Sequence, residues 1–541
     1  MSLALKSGPS LLTSQPRARQ PGWQALLAVT AGMLQAFSLA WPWQTSTIFS
    51  LIGLVRGEPL WCLQLLALAV LVGLVRQAAS VACAAWLSWW FAMAWLAGTF
   101  AWMYESMHRF GGLSAWLAAL AVLALAGALA LYYALAGAWY RRFASGHAIL
   151  DGLLFAGVWL LAEMGRGVLF TGFGWGAVGY AHVDGPLSAG LPWVGLYGVS
   201  ALAAFAAALL VSLAWPAPEG PSLSARRSQR LLALAGLAGV LALVYALPRH
   251  VGQSAGSLQV TLLQGNISQG EKFDNRRGIP QSLDWYQEQL QQNTSTLVIT
   301  PETALPVLPA QLPKGYWQRM SERFAQGQQA ALIGMPLGSV EAGYSNSVLG
   351  LKPDQDQPWR YDKSHLVPFG EFIPPLFRWF TEMMSIPLGD FQRGAQVQRP
   401  FEWQGQRLSA SVCYENLFSE ELGAQFKEES SAPTIMVNVS NLAWFGEHLA
   451  MDQHLHIARA RAIEFARPFL LATNTGRTAV VDHLGRVTHQ LENNQTGVLK
   501  AIVDGRVGLT PYAQWVSKWG LWPLLVLALL SLAGLARWRR G

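Results

Sequence analysis

Residues 408–416 read LSASVCYEN, a short β-rich run from Leu408 to Cys413 that stops on a cysteine and passes into polar residues. Short apolar runs bounded by polar segments read as strands. Six more lie between positions 250 and 515: Leu258 to Gln264, Thr296 to Thr300, Ala330 to Met335, Thr434 to Val439, Phe469 to Thr473 and Val498 to Val503. The amphipathic segments Pro280 to Gln292, Trp317 to Gln326 and Met451 to Ala466 predict helices among them. Strands alternating with helices predict an α/β layered domain.

The rest of the chain is different in kind. Across all 541 residues, 52% are hydrophobic, 13% are charged and 25 are tryptophan, whereas an ordinary soluble chain carries about 25% charge. The composition predicts a membrane protein with a membrane all-α part. A hydrocarbon core takes about 20 apolar residues to cross, and eight stretches approach that length, near 23–41, 46–76, 79–104, 113–139, 148–164, 187–214, 229–247 and 519–536. Arg56, Gly57, Glu58 and Pro59 interrupt the second, which is either one broken helix or a re-entrant piece before a full one.

Basic residues near helix ends stay on the cytoplasmic side. Lys6, Arg17 and Arg19, then Arg76, Arg141 and Arg142, then Arg226, Arg227 and Arg230, and finally Arg537, Arg539 and Arg540 all fall on one side of an eight-span bundle. The expected organisation is a cytoplasmic N-terminal segment over 1–22, seven spans over 23–247, an extracytoplasmic domain over 250–515, an eighth span over 519–537 and a cytoplasmic tail over 538–541. Ser38-Leu39-Ala40 after a basic region also fits a cleaved signal peptide. Retention is favoured, because cleavage would put Arg76 and Arg141 on the wrong side. The formal charge of +7 is accounted for by topology and anionic headgroups, without nucleic acid.

Placed outside, Cys413 is the only cysteine of its domain, and a thiol without a partner in an oxidising compartment suggests a nucleophile. Taken alone it is equally a buried structural residue. Cys62 and Cys83 lie in apolar runs and read as small membrane-helix residues. Two further segments bear on the choice: TPETALP over 300–306 and YDKSHLVPFGE over 361–371. Glu302 or Lys363 alone is best read as a solvated surface charge. Glu302 and Cys413, however, stand at or just after the ends of predicted strands, where α/β sheets form ligand crevices, and Lys363 falls in a loop-like stretch.

Together these segments resemble the nitrilase superfamily, with its Glu, Lys and Cys triad on an αββα sandwich. Only a thiolate attacks well, and a free thiol has a pKa of about 8.5, so a base and a cation are both needed. Glu302 would take the thiol proton, and Lys363 would stabilise the oxyanion with the N–H that follows Cys413.

Nearly the whole chain resembles the apolipoprotein N-acyltransferase family. The match rests on VTLLQGNI (260–267), YSNS (344–347), HLVPFGE (365–371), VSN (439–441), AWFG (443–446), QH (453–454), RARAIE (459–464), ARP (466–468) and TNTG (473–476), with TGFGW (171–175) and DGP (184–186) on the membrane side. The resemblance implies transfer of a fatty acyl chain from a phospholipid, typically phosphatidylethanolamine, through a thioester on Cys413. The acceptor would be the α-amine of the N-terminal diacylglyceryl-cysteine of an apolipoprotein. The site would lie at the outer face of a bacterial inner membrane. It also implies supporting roles for Glu371, Tyr414 and Glu415, with Glu371 orienting Lys363 and Glu415 tuning charge at the nucleophile. Asn441, Trp444, Phe445 and Trp175 are the remaining substrate-binding candidates.

Four positions depart from the family's usual pattern: Leu442 replaces an acidic residue, Gly174 a proline, Thr300 a tryptophan and Ser268 a proline. Leu442 is expected at the rim of the site, where it would shift acceptor or headgroup choice. Trp379, Phe380 and Met383 to Ile386 form an apolar segment that is either a lid over acyl chains or packed core. No metal or organic cofactor is expected; His454 and His456, two residues apart on a predicted helix, do not share a face. The rival functions are a membrane-tethered amidase using the same triad and a carrier without catalysis. The chain shows no oligomerisation heptads, which suggests a monomer.

Overall fold

The computed structural model describes residues 22–44, 53–214, 223–248, 252–339, 341, 343–373, 391–446 and 449–538. Among them, five helices are long and apolar enough to cross a membrane: Val81–Thr99, Ala115–Phe143, Ala148–Thr171, Pro186–Ala214 and Ser224–Ala246. A sixth span results if Pro511–Trp519 and Trp522–Gly534, bent by 91° at the break between them, count as one. Gly22–Phe37 and Trp61–Gln77 are apolar helices of 16 and 17 residues.

The broken stretch at 46–76 is resolved in part. Residues 45–52 lie outside the described residues, and the segment from Gly53 to Leu60 is non-helical. Trp41 N–H donates to the Glu58 carbonyl and Gly57 N–H to the Trp41 carbonyl, closing a turn before the helix Trp61–Gln77. Gly57 has φ +86°, and a proline follows two residues later. Both features stop a helix. Residues 215–222 lie outside the described residues, as does the apolar segment from Trp379 to Ile386.

Helix packing in the membrane part depends on small residues, which let backbones approach. A Cβ at Gly137 would lie 2.0 Å from the Ser88 hydroxyl of the neighbouring helix.

The second unit contains two six-stranded sheets. In chain order the strands are β1 (Gln253–Gln264), β2 (Leu297–Ile299), β3 (Ala330–Ser339), β4 (Gly343–Leu351), β5 (Trp359–Asp362), β6 (Phe401–Trp403), β7 (Gln406–Val412), β8 (Ile435–Ser440), β9 (Phe469–Thr473), β10 (Ala479–Val481), β11 (Val487–Gln490) and β12 (Gly497–Val507). One sheet runs β12-β1-β2-β3-β4-β5 and the other β11-β10-β9-β8-β7-β6. Each has three parallel strands at its centre, β1-β2-β3 and β7-β8-β9, with antiparallel strands outside them.

Period-2 alternation decides which side chains meet. Val260, Leu262, Leu297, Ile299 and Leu332 of the first sheet face Leu408, Val412, Val437, Val439 and Leu470 of the second in one core. On the outer face of the first sheet, Val298, Ala331 and Ile333 pack against the helices Gly278–Gln292 and Tyr316–Gln326 through Leu283, Tyr286, Met320 and Phe324. On the outer face of the second, Met436, Phe469 and Leu471 pack on Leu455, Ala458, Ala462 and Phe465 of the helix Ala450–Phe465. The layers are therefore α-β-β-α.

All seven expected strands and all three expected helices are present. Five strands were not expected. β5, β6, β10 and β11 have three or four residues each, too few to show a period. β4 reads GYSNSVLGL, and its serines and asparagine hide a strand that is buried over seven of its nine positions.

The helix Ala450–Phe465 joins the two units, and every one of its residues is buried. Its other side, with Ile457, Ala460 and Ile463, belongs to the core of the membrane helices. Polar contacts fix the junction: Arg459 pairs with Asp184, His456 Nε2 lies 2.7 Å from the Gly57 carbonyl, and Glu464 accepts the Leu196 N–H at 2.6 Å.

Candidate active site

Glu302, Lys363 and Cys413 come from three different strand ends. Cys413 directly follows β7, Lys363 directly follows β5, and Glu302 sits three residues beyond β2. Cys413 has φ +51° and opens a 3-10 turn, Cys413–Leu417. A left-handed backbone costs energy for a residue with a Cβ and persists only where its surroundings impose it. Here Asn438 Nδ2 donates to the Cys413 carbonyl at 3.2 Å.

The Glu302 carboxylate is held on both oxygens. Oε1 accepts Asn346 Nδ2 at 2.7 Å, and Oε2 accepts the Asn441 N–H at 2.9 Å. Glu302, Lys363 and the Asn441 backbone all act on the Cys413 thiol. Lys363 Nζ lies 3.8 Å from Glu302 Oε1 and 2.9 Å from Glu371. Asn346 Nδ2 also reaches Glu371 Oε1 at 2.9 Å.

Electrostatics follow from this crowding. Burial raises the pKa of Glu302, opposed by Lys363. Burial and then the Glu302 charge raise that of the Cys413 thiol, again against Lys363. Burial pulls the Lys363 ammonium down, yet Glu371 and Glu302 outweigh it and hold its pKa above the ordinary lysine value. The resting arrangement is a protonated thiol beside a carboxylate of raised basicity and a fixed cation, which suits general-base activation of a nucleophile.

Glu371 is placed as expected, on Lys363. Glu415 is not placed to tune the thiol: its carboxylate accepts Val412 N–H at 2.6 Å, Tyr361 OH at 2.8 Å, Ser364 N–H at 2.6 Å, Ser364 OH at 2.7 Å and His365 N–H at 3.0 Å. It ties the nucleophile turn to the lysine loop. Tyr414 OH donates to the Gly172 carbonyl at 2.8 Å and so fastens the turn after Cys413 to the membrane part. Asn441 also bonds Gln269 and Asn474.

The aromatic candidates gather where the units meet. Trp175 is buried and donates to Gln453 at 2.7 Å. Phe445 packs on Trp102 at 4.2 Å between ring centroids and on Trp175 at 6.3 Å. Trp444 is 40% exposed, with one edge against Phe110 at 5.5 Å. Leu442 is fully buried and lies under Gly476, 3.0 Å from where a Cβ there would stand. That overturns its expected place at the rim, and with it the grounds for a direct role in selectivity. His454 and His456 have separate partners, Asn416 and the Gly57 carbonyl.

Two groups at the site had no role in the sequence-based account. Asn346, in the YSNS segment, bridges both carboxylates. Lys272, five residues after the VTLLQGNI segment, reaches the Glu302 turn from behind. In sequence Lys272 is one lysine among surface charges, and only burial distinguishes it.

Residues 58–209 match the family model described as apolipoprotein N-acyltransferase N-terminal domain, and residues 259–512 that of carbon-nitrogen hydrolase. The chain is 49% identical over 517 residues to an apolipoprotein N-acyltransferase of Verminephrobacter eiseniae, covering 92% of this chain and 94% of that one. A protein of the same name from Ralstonia nicotianae is 41% identical, with 98% of this chain and 99% of the relative covered. For another from Bordetella bronchiseptica the values are 39%, 97% and 99%.

Proposed function

The chain belongs to the apolipoprotein N-acyltransferase family and is a membrane acyltransferase of the nitrilase superfamily, and from that premise we propose that it acylates lipoproteins through a thioester on Cys413. The observation that carries this is the gathering of Glu302 and Lys363 charges on the Cys413 thiol, with Glu302 held by the Asn441 N–H at 2.9 Å and Lys363 wedged between Glu302 and Glu371.

Glu302 takes the proton from the Cys413 sulfur as the sulfur bonds to the ester carbonyl of a phospholipid, with phosphatidylethanolamine the preferred donor. Lys363 and the Tyr414 N–H, at the start of a 3-10 turn where amides lack intrahelical partners, hold the oxyanion. The carbonyl–oxygen bond breaks, and the lysophospholipid leaves with the proton from Glu302. The α-amine of a diacylglyceryl-cysteine then attacks the thioester and gives its proton to Glu302. The carbon–sulfur bond breaks, and the thiol is restored as the amide departs. Apolar walls limit competing hydrolysis, consistent with the membrane helices packed against Tyr414 and Phe445.

The alignment of basic flanks supports eight spans, a bacterial inner-membrane location and a catalytic domain on the periplasmic side. No other protein is needed for the chemistry, and a monomer suffices.

The test is incubation of the protein in nanodiscs with phosphatidylethanolamine and a diacylglyceryl-cysteine peptide. One added acyl chain on the peptide is expected, absent with Cys413→Ala. An acylated Cys413 with an unchanged peptide would refute the acceptor, and a small acyl adduct would favour an amidase. No adduct would leave a carrier.

Glu371→Ala is expected to slow thioester formation about tenfold or more, since Lys363 loses its 2.9 Å partner. A wild-type rate of Cys413 acylation, read by intact mass, would refute its orienting role.

A further inference from the structure

Lys272 lies in the turn between β1 and the helix Gly278–Gln292, and its side chain is directed inward. It is 1% exposed. Its Nζ donates to the Glu302 carbonyl at 3.1 Å and to the Thr303 hydroxyl at 2.7 Å. Both acceptors are neutral, and the charge that acts on the ammonium is that of Glu302.

Burying an ammonium against neutral partners carries a large desolvation cost. A neutral side chain could donate the same hydrogen bonds without that cost. The turn itself is already pinned from other sides: Gly334 N–H donates to the Thr300 hydroxyl at 3.0 Å and Leu305 N–H to the Gly334 carbonyl at 3.2 Å. Gly334 is pressed so close that a Cβ would stand 2.1 Å from the Pro301 carbonyl oxygen. What a cation adds here is charge, placed behind the carboxylate that acts most strongly on Cys413.

The neighbouring Gln269 accepts from Asn441 Nδ2 at 2.6 Å. One turn thus supports Glu302 from the rear through Lys272 and steadies through Gln269 the residue whose N–H holds Glu302 in front. Thr303, with φ +48°, is the strained position that Lys272 ties down.

We propose that Lys272 is a positioning residue for acyl transfer, whose buried ammonium fixes the Glu302–Thr303 turn and keeps the Glu302 carboxylate ionised as a base. This rests on Glu302 being the base that activates Cys413. The charged and titratable groups facing Glu302 are Lys363, Glu371, Lys272 and the Cys413 thiol. Lys363 exerts the larger charge on Glu302 but is also engaged by Glu371 at 2.9 Å, whereas Lys272 adds a smaller one and, among the described residues, Glu302 is the acid that acts on it. Burial and the Glu302 charge together leave Lys272 at about 8, low for a lysine but still protonated at neutral pH.

The test is the pH profile of Cys413 acylation by phosphatidylethanolamine nanodiscs, without acceptor, followed by intact mass of the full-length protein. Lys272→Met is expected to move the acid limb up by about one pH unit, so that the rate is about tenfold lower on the acid side and recovers as pH rises. Lys272→Arg keeps the charge and is expected to keep the limb near its wild-type position. Lys272→Gln, neutral but polar, should shift it as Met does, and provides the test should Met impair folding. A wild-type profile in both neutral variants overturns the proposal. So does an equal loss at every pH, which marks a packing role. Glu302→Gln serves as the reference: if it acylates Cys413 at the wild-type rate, the assignment of Glu302 as base is wrong, a result distinct from failure of Lys272 alone.

Discussion

Lys363→Met is expected to lower the rate of Cys413 acylation by at least about a thousandfold at neutral pH. Two losses combine. The first is the cation at the developing oxyanion, an interaction whose removal typically costs on the order of 10²–10³ in rate. The second acts on the base. Glu302 and Glu371 are both hydrogen-bonded to Asn346 Nδ2, at 2.7 and 2.9 Å, and Lys363 is the buried cation between them. Without it two carboxylates share one amide, and such a pair cannot both stay ionised cheaply. Glu302, already raised by burial, would move further up and hold a proton when the thiol needs a base. The acylation rate of the variant should therefore climb with pH as Glu302 ionises. Its stability should move oppositely. A carboxyl whose folded pKa exceeds the unfolded one binds more protons when folded, so stability declines as pH rises from the ordinary carboxylate value through the folded one. A loss of less than about tenfold in acylation at neutral pH, read by intact mass, would show that Lys363 is not the oxyanion cation.

The sandwich was legible in sequence because burial between two layers and a helix imposes continuous apolar runs on central strands. β2, β8 and β9 show them, whereas β7 alternates Leu408, Ala410 and Val412 with serines and was legible by its period of two. What was not legible had no periodicity to carry it. β4 pairs with β3 across nine positions, Ala331 with Leu351 through to Ser339 with Gly343, yet its Ser345-Asn346-Ser347 run interrupts the apolar pattern, and Asn346 of that run serves the site. Asn346 points at Glu302 and Glu371, and Ser347 at Asp362. A strand that presents polar side chains to a buried site reads as a loop.

The three candidate catalytic residues were legible through their motifs, since their local strings are distinctive. Their supports were not, because support is a matter of distance between segments remote in sequence. Lys272 is 30 residues from Glu302 and Glu415 is 51 from Ser364, and nothing in either local string states those contacts. The expected rim position of Leu442 failed for a related reason. The rim position followed from the acidic residue usual there in the family, whereas a leucine after β8 turns inward and packs beneath Gly476.

Glu415→Ala is expected to cost more in stability than any other single change near the site. The substitution leaves five donors without their acceptor: the N–H groups of Val412, Ser364 and His365 and the hydroxyls of Tyr361 and Ser364. An orphaned buried donor costs roughly 1–3 kcal/mol. The cavity left by the side chain can admit water to some of them, so the net loss is about 3–5 kcal/mol rather than the full sum. Against a total stability of roughly 5–15 kcal/mol, that is enough to lower the unfolding midpoint severely or to prevent recovery of folded protein. Glu415→Gln keeps one carbonyl oxygen as acceptor but turns an NH2 group toward N–H donors, and should fall between alanine and the wild type. The outcome separates two roles for this carboxylate. If it acted mainly by its charge on Cys413, alanine would shift the pH profile of acylation and leave the unfolding midpoint in place. If it joins the nucleophile turn to the lysine loop, the midpoint falls first, and protease would enter between 361 and 417 before the rest of the sandwich opens. Thermal unfolding of the variant in nanodiscs, with limited proteolysis mapped by mass, decides between them.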